Sequence, residues 1–169
     1  MRFYKISKQQ FITDFGLGAL VFSEDQINVL YDGYSLPKRA TLGSAGYDFY
    51  AVEDIHLKPG TPILVPTGVR FESDPDAYLM CVPRSGLGFK HGIRLANTVG
   101  IIDYDYFFSH NEGHIFAKLF NPGSKSVVIP KGQAFMQGII NSFKRTDDDE
   151  VVSTRCGGFG STDEDKEKK

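Results

Sequence analysis

The chain contains no tryptophan, two cysteines and no excess of charge of either sign. Each scarcity excludes something. Two cysteines do not make a disulfide framework. Cys81 lies in an apolar run and reads as a small buried hydrophobe, and Cys156 lies in a Gly-rich tail, so a reducing cytoplasm is the expected compartment. A formal net charge of −2 leaves no basic field to neutralise a duplex phosphate backbone, so duplex nucleic acid is not an expected partner. A single small anion remains possible, because a few Arg and backbone N–H groups can hold it. No stretch is long and apolar enough to span a bilayer, and no charged–apolar–small leader pattern opens the chain. Helix-bundle periodicity is also absent.

What the sequence has instead is turns and aromatics. Eighteen glycines, eight prolines, fourteen phenylalanines and eight tyrosines in 169 residues suit one domain of short, aromatic-rich strands. Ser7 to Phe15 reads as a short helix, with Ser7 as its cap and Phe11, Ile12 and Phe15 on one face. Gly16 to Gly33 is ambiguous: Val21-Phe22 and Ile27 to Leu30 read as short strands or as an extension packed on the main domain. From Ser35 the pattern is all-β. Strands are expected at Tyr47–Val52, Thr61–Pro66, Val69–Glu72, Tyr78–Val82, Asn97–Ile102, His114–Phe120, Ser126–Ile129 and Ala134–Phe143. Regular strands with turn punctuation predict a jelly roll or barrel. The expected divisions are an N-terminal extension (1–33), a β domain (34–145) and a flexible C-terminal arm (146–169) that carries a Gly-rich segment.

Four segments carry chemistry. Ala45-Gly46-Tyr47-Asp48 places an acid at the start of a strand. Pro83-Arg84-Ser85-Gly86-Leu87-Gly88 sets an arginine and a hydroxyl beside glycines. Asn97 to Tyr106 combines an amide, two acids and an aromatic. Arg155 to Thr162 joins a cation, Phe159 and two hydroxyls in a Gly-rich loop. Phosphoanhydride hydrolysis needs these types: cations for the phosphates, a placed water and a base. Asp103 or Asp105 can serve as base, and Tyr106 and Phe159 offer flat faces to a sugar and a nucleobase. Each segment also has a plainer reading, as surface arginine, turn acid or linker, and no one of them separates the two.

In order and together, however, they resemble the five motifs of trimeric dUTPases from about Leu36 to Thr162. PRSGLGFKHGIRLANTVGIIDYDY is similar to the joined second and third motifs almost residue for residue, and GGFGST to the fifth. The resemblance implies a distorted jelly roll of the β-clip type, a homotrimer with three shared active sites, and hydrolysis of dUTP to dUMP and pyrophosphate. That activity keeps uracil out of DNA and supplies dUMP for thymidylate synthesis. It implies Asp103 as the base that activates water, and Tyr106 under the deoxyribose, excluding a 2′-hydroxyl. Asn97 and the backbone at Gly100 and Ile101 would form a hairpin slot for uracil. Arg84, Ser85, Gly86 and Gln137 would bind phosphates. Phe159 would cover uracil, with Arg155, Gly160, Ser161 and Thr162 on the γ-phosphate. Asp48 would support the arginine network, and Mg²⁺ would be held by the triphosphate and water rather than by protein ligands.

Three departures accompany the match. Phe107 to Glu112 intervenes between the third motif and the next strand and reads as an extended hairpin tip. Ala134 stands where the fourth motif has an arginine, and about 35 residues precede the first motif. They point to a bacterial or phage-type branch. His110, Glu112 and His114 form a weak candidate metal set, against which stands the reading of alternating loop polars. Two alternatives remain open: a dCTP deaminase or bifunctional deaminase/dUTPase, for which Glu112 is the available acid, and a phage-type regulatory protein whose partner is another protein.

Overall fold

The computed structural model describes residues 1–16 and 23–153. Its elements in chain order are β1 (Arg2–Lys5), α1 (Lys8–Gly16), α2 (Glu24–Gly33), β2 (Lys38–Arg39), β3 (Gly46–Tyr50), β4 (Ile55–Leu57), β5 (Ile63–Pro66), β6 (Val69–Glu72), β7 (Ala77–Pro83), α3 (Ser85–His91), β8 (Arg94–Leu95), β9 (Gly100–Ile102), a 3₁₀ turn η1 (Tyr104–Phe108), β10 (Phe116–Phe120), β11 (Val127–Ile129) and β12 (Ala134–Ser142). The fold is the expected all-β jelly roll. Every strand pair is antiparallel, and the largest sheet runs β2-β3-β12-β7-β9. A second sheet runs β5-β10-β8, with two-stranded ribbons β1-β6 and β4-β11.

Period-two burial explains the strands. In β7, Ala77, Leu79 and Cys81 point inward while Tyr78, Met80 and Val82 are half-buried. Across it, β12 pairs along its length from Met136↔Pro83 to Ser142↔Ala77. The inward faces meet in one core in which Phe49, Phe71, Phe135, Leu79 and Leu119 are fully buried.

The N-terminal segment joins this core. Ser7 caps α1 as expected, its Oγ accepting from Gln10 N at 3.1 Å. Phe11 and Phe15 are buried and stacked at 4.0 Å, while Ile12 is only half-buried. β1 pairs with β6, and Ile6, Phe11, Phe15 and Tyr34 belong to the same cluster as the sheet residues.

Of the two readings left open for Ile27 to Leu30, the strand is corrected to a helix, and the packed extension is what the structure has. Ser23 and Gln26 form a capping box, Gln26 N donating to Ser23 Oγ at 3.3 Å and Ser23 N to Gln26 Oε1 at 2.8 Å. Once started, α2 lays Ile27, Leu30 and Tyr31 against the core. Val21-Phe22 lies outside the described residues.

A second correction concerns the insertion. Phe107 to Glu112 is no hairpin tip. It continues the 3₁₀ turn and folds back over it through Glu112 (φ 59°) and Gly113 (φ 71°). A Cβ at Gly113 would stand 2.7 Å from both Phe107 Cα and Tyr106 O, so only glycine permits this approach.

Candidate active site

Asp48, Arg84 and Gln137 converge on one face of the large sheet. Asp48 on β3 is opposite Gln137 on β12, and Gln137 is opposite Val82 on β7. Cross-strand partners share a face, which places the carboxylate and the amide side by side. The Gln137 amide lies over Gly46, where any Cβ would overlap it. Arg84 follows β7 directly, and its Nε stands 3.3 Å from Asp48 Oδ1. Asp48 is buried while Arg84 stays part-exposed, so the acid aims a guanidinium whose remaining N–H groups face outward.

Arg84 is also the residue from which α3 starts. The residues after Pro83 therefore open a helix, and Ser85 and Gly86 form its exposed first turn. Gly92 ends it in the left-handed region at φ 66°.

The second group lies beyond α3. Asn97 to Val99 is a tight turn, held by Thr98 N to Leu95 O at 3.0 Å and Val99 N to Asn97 O at 2.7 Å, with Thr98 at φ 67°. The expected hairpin is not a laddered one, because the flanking strands separate: β8 pairs with β10, and β9 with β7. β9 is consequently the edge of the large sheet, with one side of Gly100, Ile101 and Ile102 unpaired by any described strand. Gly100 passes so close to β7 that a Cβ would meet Cys81 Cβ at 3.2 Å. Burial pushes the Cys81 thiol up to about 12, which keeps it neutral.

Asp103 follows β9 as the N-cap residue of η1, half-buried, at the wall of an open cleft of about 250 Å³ shared with Tyr104, Asp105, Phe143 and Arg145. Arg145, the last residue of the expected β domain, was not anticipated here. Tyr106 is 5 % exposed. Its hydroxyl donates to His114 O at 2.6 Å and accepts from Asn111 Nδ2 at 2.9 Å. Arg155, Phe159, Gly160, Ser161 and Thr162 lie outside the described residues.

The structure disperses the candidate metal set. His114 is fully buried: its Nε2 accepts Gly68 N–H at 2.8 Å and its Nδ1 contacts Asp14 Oδ2 at 2.5 Å. Glu112 accepts from Ser7 N at 2.8 Å and from Ser7 Oγ at 2.6 Å. His110 is exposed. The same contacts hold Glu112 against the N-terminal segment and withhold it from deaminase chemistry. Sequence reasoning missed Asp14 and read His114 only as a metal candidate or a loop polar residue. The signal was an acid on the apolar stripe of α1, between Phe11 and Phe15, which needs a buried partner. Ala134 is shielded at the start of β12, opposite Tyr50 and beside a β-bulge.

Comparison with known proteins agrees with this architecture. A family model described as dUTPase matches residues 32–162. The deoxyuridine 5'-triphosphate nucleotidohydrolase of Lactococcus lactis is 41% identical over 133 residues, which cover 77% of this chain and 89% of the relative. That of Hahella chejuensis is 42% identical over 135 residues, covering 75% and 86%. The crystal structure of the dUTPase from Streptococcus mutans superimposes with a TM-score of 0.62 at 40% identity, covering 66% of this chain and 88% of that one. A dUTPase from phage phi11 of S. aureus, described with a structural Mg(II) ion, shares the fold at 18% identity and a TM-score of 0.59, covering 70% and 90%. With the described motif residues on one jelly roll and a family match over residues 32–162, the chain belongs to the dUTPase family.

Proposed function

We propose that the protein hydrolyses dUTP to dUMP and pyrophosphate, in sites shared between subunits of a homotrimer. The activity rests on the family match and the retained motif residues. The sharing rests on one observation, the register of β9 on β7. Ile102 faces Leu79 and Gly100 faces Cys81, so Asp103 is level with the start of β7 while Arg84 follows its end. At about 3.3 Å per residue the two are roughly 20 Å apart. Successive phosphates are only a few bonds apart. One chain's Arg84 therefore does not serve the substrate that its own Asp103 attacks, and a neighbouring copy supplies the arginine.

In this reading Asp103 takes the proton from the water that attacks the α-phosphorus. The exposed edge of β9 offers N–H and C=O groups to the uracil edge, beside Asn97. Tyr106 closes the sugar pocket, so that a 2′-hydroxyl is rejected. Arg84, Ser85, Gly86 and Gln137 bind phosphate oxygens, with Asp48 holding the arginine in place. Arg155, Gly160, Ser161 and Thr162 complete the γ-phosphate contacts and Phe159 covers the base. Asp48 is engaged by Arg84, and no three carboxylate, imidazole or thiol groups converge among the described residues. That donor set suits Mg²⁺ held by phosphate oxygens and water. When bound, the ion neutralises and orients the triphosphate. No helix among the described residues is long and apolar enough to cross a membrane.

Incubation with dUTP, dCTP, dTTP and UTP plus Mg²⁺, with identification of products, tests the activity. Pyrophosphate and dUMP from dUTP alone are expected; ammonia from dCTP would instead make it a deaminase.

A further inference from the structure

We infer that helix α1 is a positioning element for Tyr106, acting through Asp14 and His114. The inference rests on the reading of Tyr106 as the wall of the sugar pocket and adds what holds that wall.

The chain of contacts is continuous. Tyr106 hydroxyl donates to the backbone oxygen of His114. The side chain of the same residue is pinned from two directions. Its Nε2 accepts the Gly68 N–H, so the ring is neutral and its proton sits on Nδ1. That N–H donates to Asp14 on α1, which Gln10 Nε2 braces at 2.8 Å. Gly68 is fixed in turn from the N-terminal side: its oxygen accepts Ile6 N at 3.0 Å and Tyr34 Oη at 2.7 Å. His114 thus cannot shift without breaking bonds to α1 and to the turn before β6, and Tyr106 is bonded to its main chain.

The insertion completes the device. Asn111 donates to the Tyr106 hydroxyl, and Gly113 lies directly on the Tyr106–Phe107 backbone. Glu112 returns to Ser7, the residue that caps α1. Two departures from the family pattern, the long N-terminus and the residues after Tyr106, are therefore one structure built around one tyrosine. A merely structural appendage would not need its buried polar groups to end on a residue of the substrate pocket.

Selectivity separates positioning from plain stability. A loss of stability lowers the active fraction for dUTP and UTP alike and leaves the ratio of their kcat/KM values unchanged. A displaced Tyr106 narrows that ratio. In the full-length protein, Asp14→Ala is expected to reduce the dUTP-over-UTP ratio by about tenfold, with a raised KM for dUTP. Asp14→Asn, which keeps an acceptor for His114 Nδ1, is expected to restore most of it. Should Asp14→Ala give no cooperative melt, Gln10→Ala loosens the same carboxylate mildly and is expected to lower the ratio about twofold to threefold. Tyr106→Ala is the reference. An unchanged ratio in the folded Asp14 and Gln10 variants, beside a relaxed one in Tyr106→Ala, overturns this inference alone. An unchanged ratio in Tyr106→Ala overturns it together with the pocket assignment beneath it.

Discussion

Asp103 and Asp48 are both at least half-buried carboxylates from motif segments, yet their surroundings assign them different work. Asp48 is held by the Arg84 guanidinium and lies under it, which suits an orienting role. Asp103 stands at the end of an edge strand beside an open cleft, where a water and a phosphate can reach it. A general base contributes about 10²–10⁴-fold to rate, so Asp103→Asn should lower kcat on that scale while nucleotide affinity stays near wild type. Titration with a non-hydrolysable dUTP analogue, run beside single-turnover hydrolysis, measures the two quantities separately. Wild-type turnover in that variant removes Asp103 from the mechanism.

Among the elements, the junction of α1 with the turn before β10 carries a pH signature. Burial pushes His114 below its ordinary value of about 6.5, against the raising influence of Asp14 and Glu112. As pH falls through 6.5 the unfolded chain takes up a proton that the folded one refuses, so stability is full above about that value and declines beneath it. Asp14 and Glu112 are likewise held below a carboxylate's usual range. Burial alone would raise them, but hydrogen bonds from His114 and Gln10 to Asp14, and from Ser7 to Glu112 with Arg70 nearby, outweigh it. Their contribution is present above about pH 4 and is lost on further acidification. Urea midpoints measured from pH 8 to 3 should therefore fall in two steps, the first beginning near 6.5 and the second near 4; a midpoint constant down to pH 5 would contradict a neutral His114. This junction was also the least legible part of the sequence. β6 announced itself by the apolar–polar alternation of Val69 to Glu72, and Ser7 by its capping position. Two helices were hidden by glycines and a short apolar run, although Ser23 and Gln26 already spelled a capping box. Asp14 and His114 are a hundred residues apart. No local pattern specifies such a pair, and an acid on an apolar stripe says only that some partner exists.

At the scale of the whole molecule, the motif residues were readable as a set, but their division between the two ends of β7 was not. That division depends on β9 leaving the β8 turn to join another sheet, a choice made by tertiary pairing rather than by local propensity. It has a consequence that single-chain reasoning misses. If each site takes Asp103 from one subunit and Arg84 from the next, two inactive variants repair one another. Asp103→Asn and Arg84→Ala proteins should then each lose most of their turnover, since every site would lack one of the two groups. In a closed three-fold ring of mixed subunits, either composition contains one junction at which an intact Asp103 meets an intact Arg84. Purified mixed trimers, selected by two different tags, should recover about one third of wild-type kcat with an ordinary KM for dUTP. Sites built within single chains would give none, because no subunit in the mixture carries both groups. The recovered fraction thus reports where the roughly 20 Å between the two ends of β7 is bridged, across the subunit boundary or within the chain.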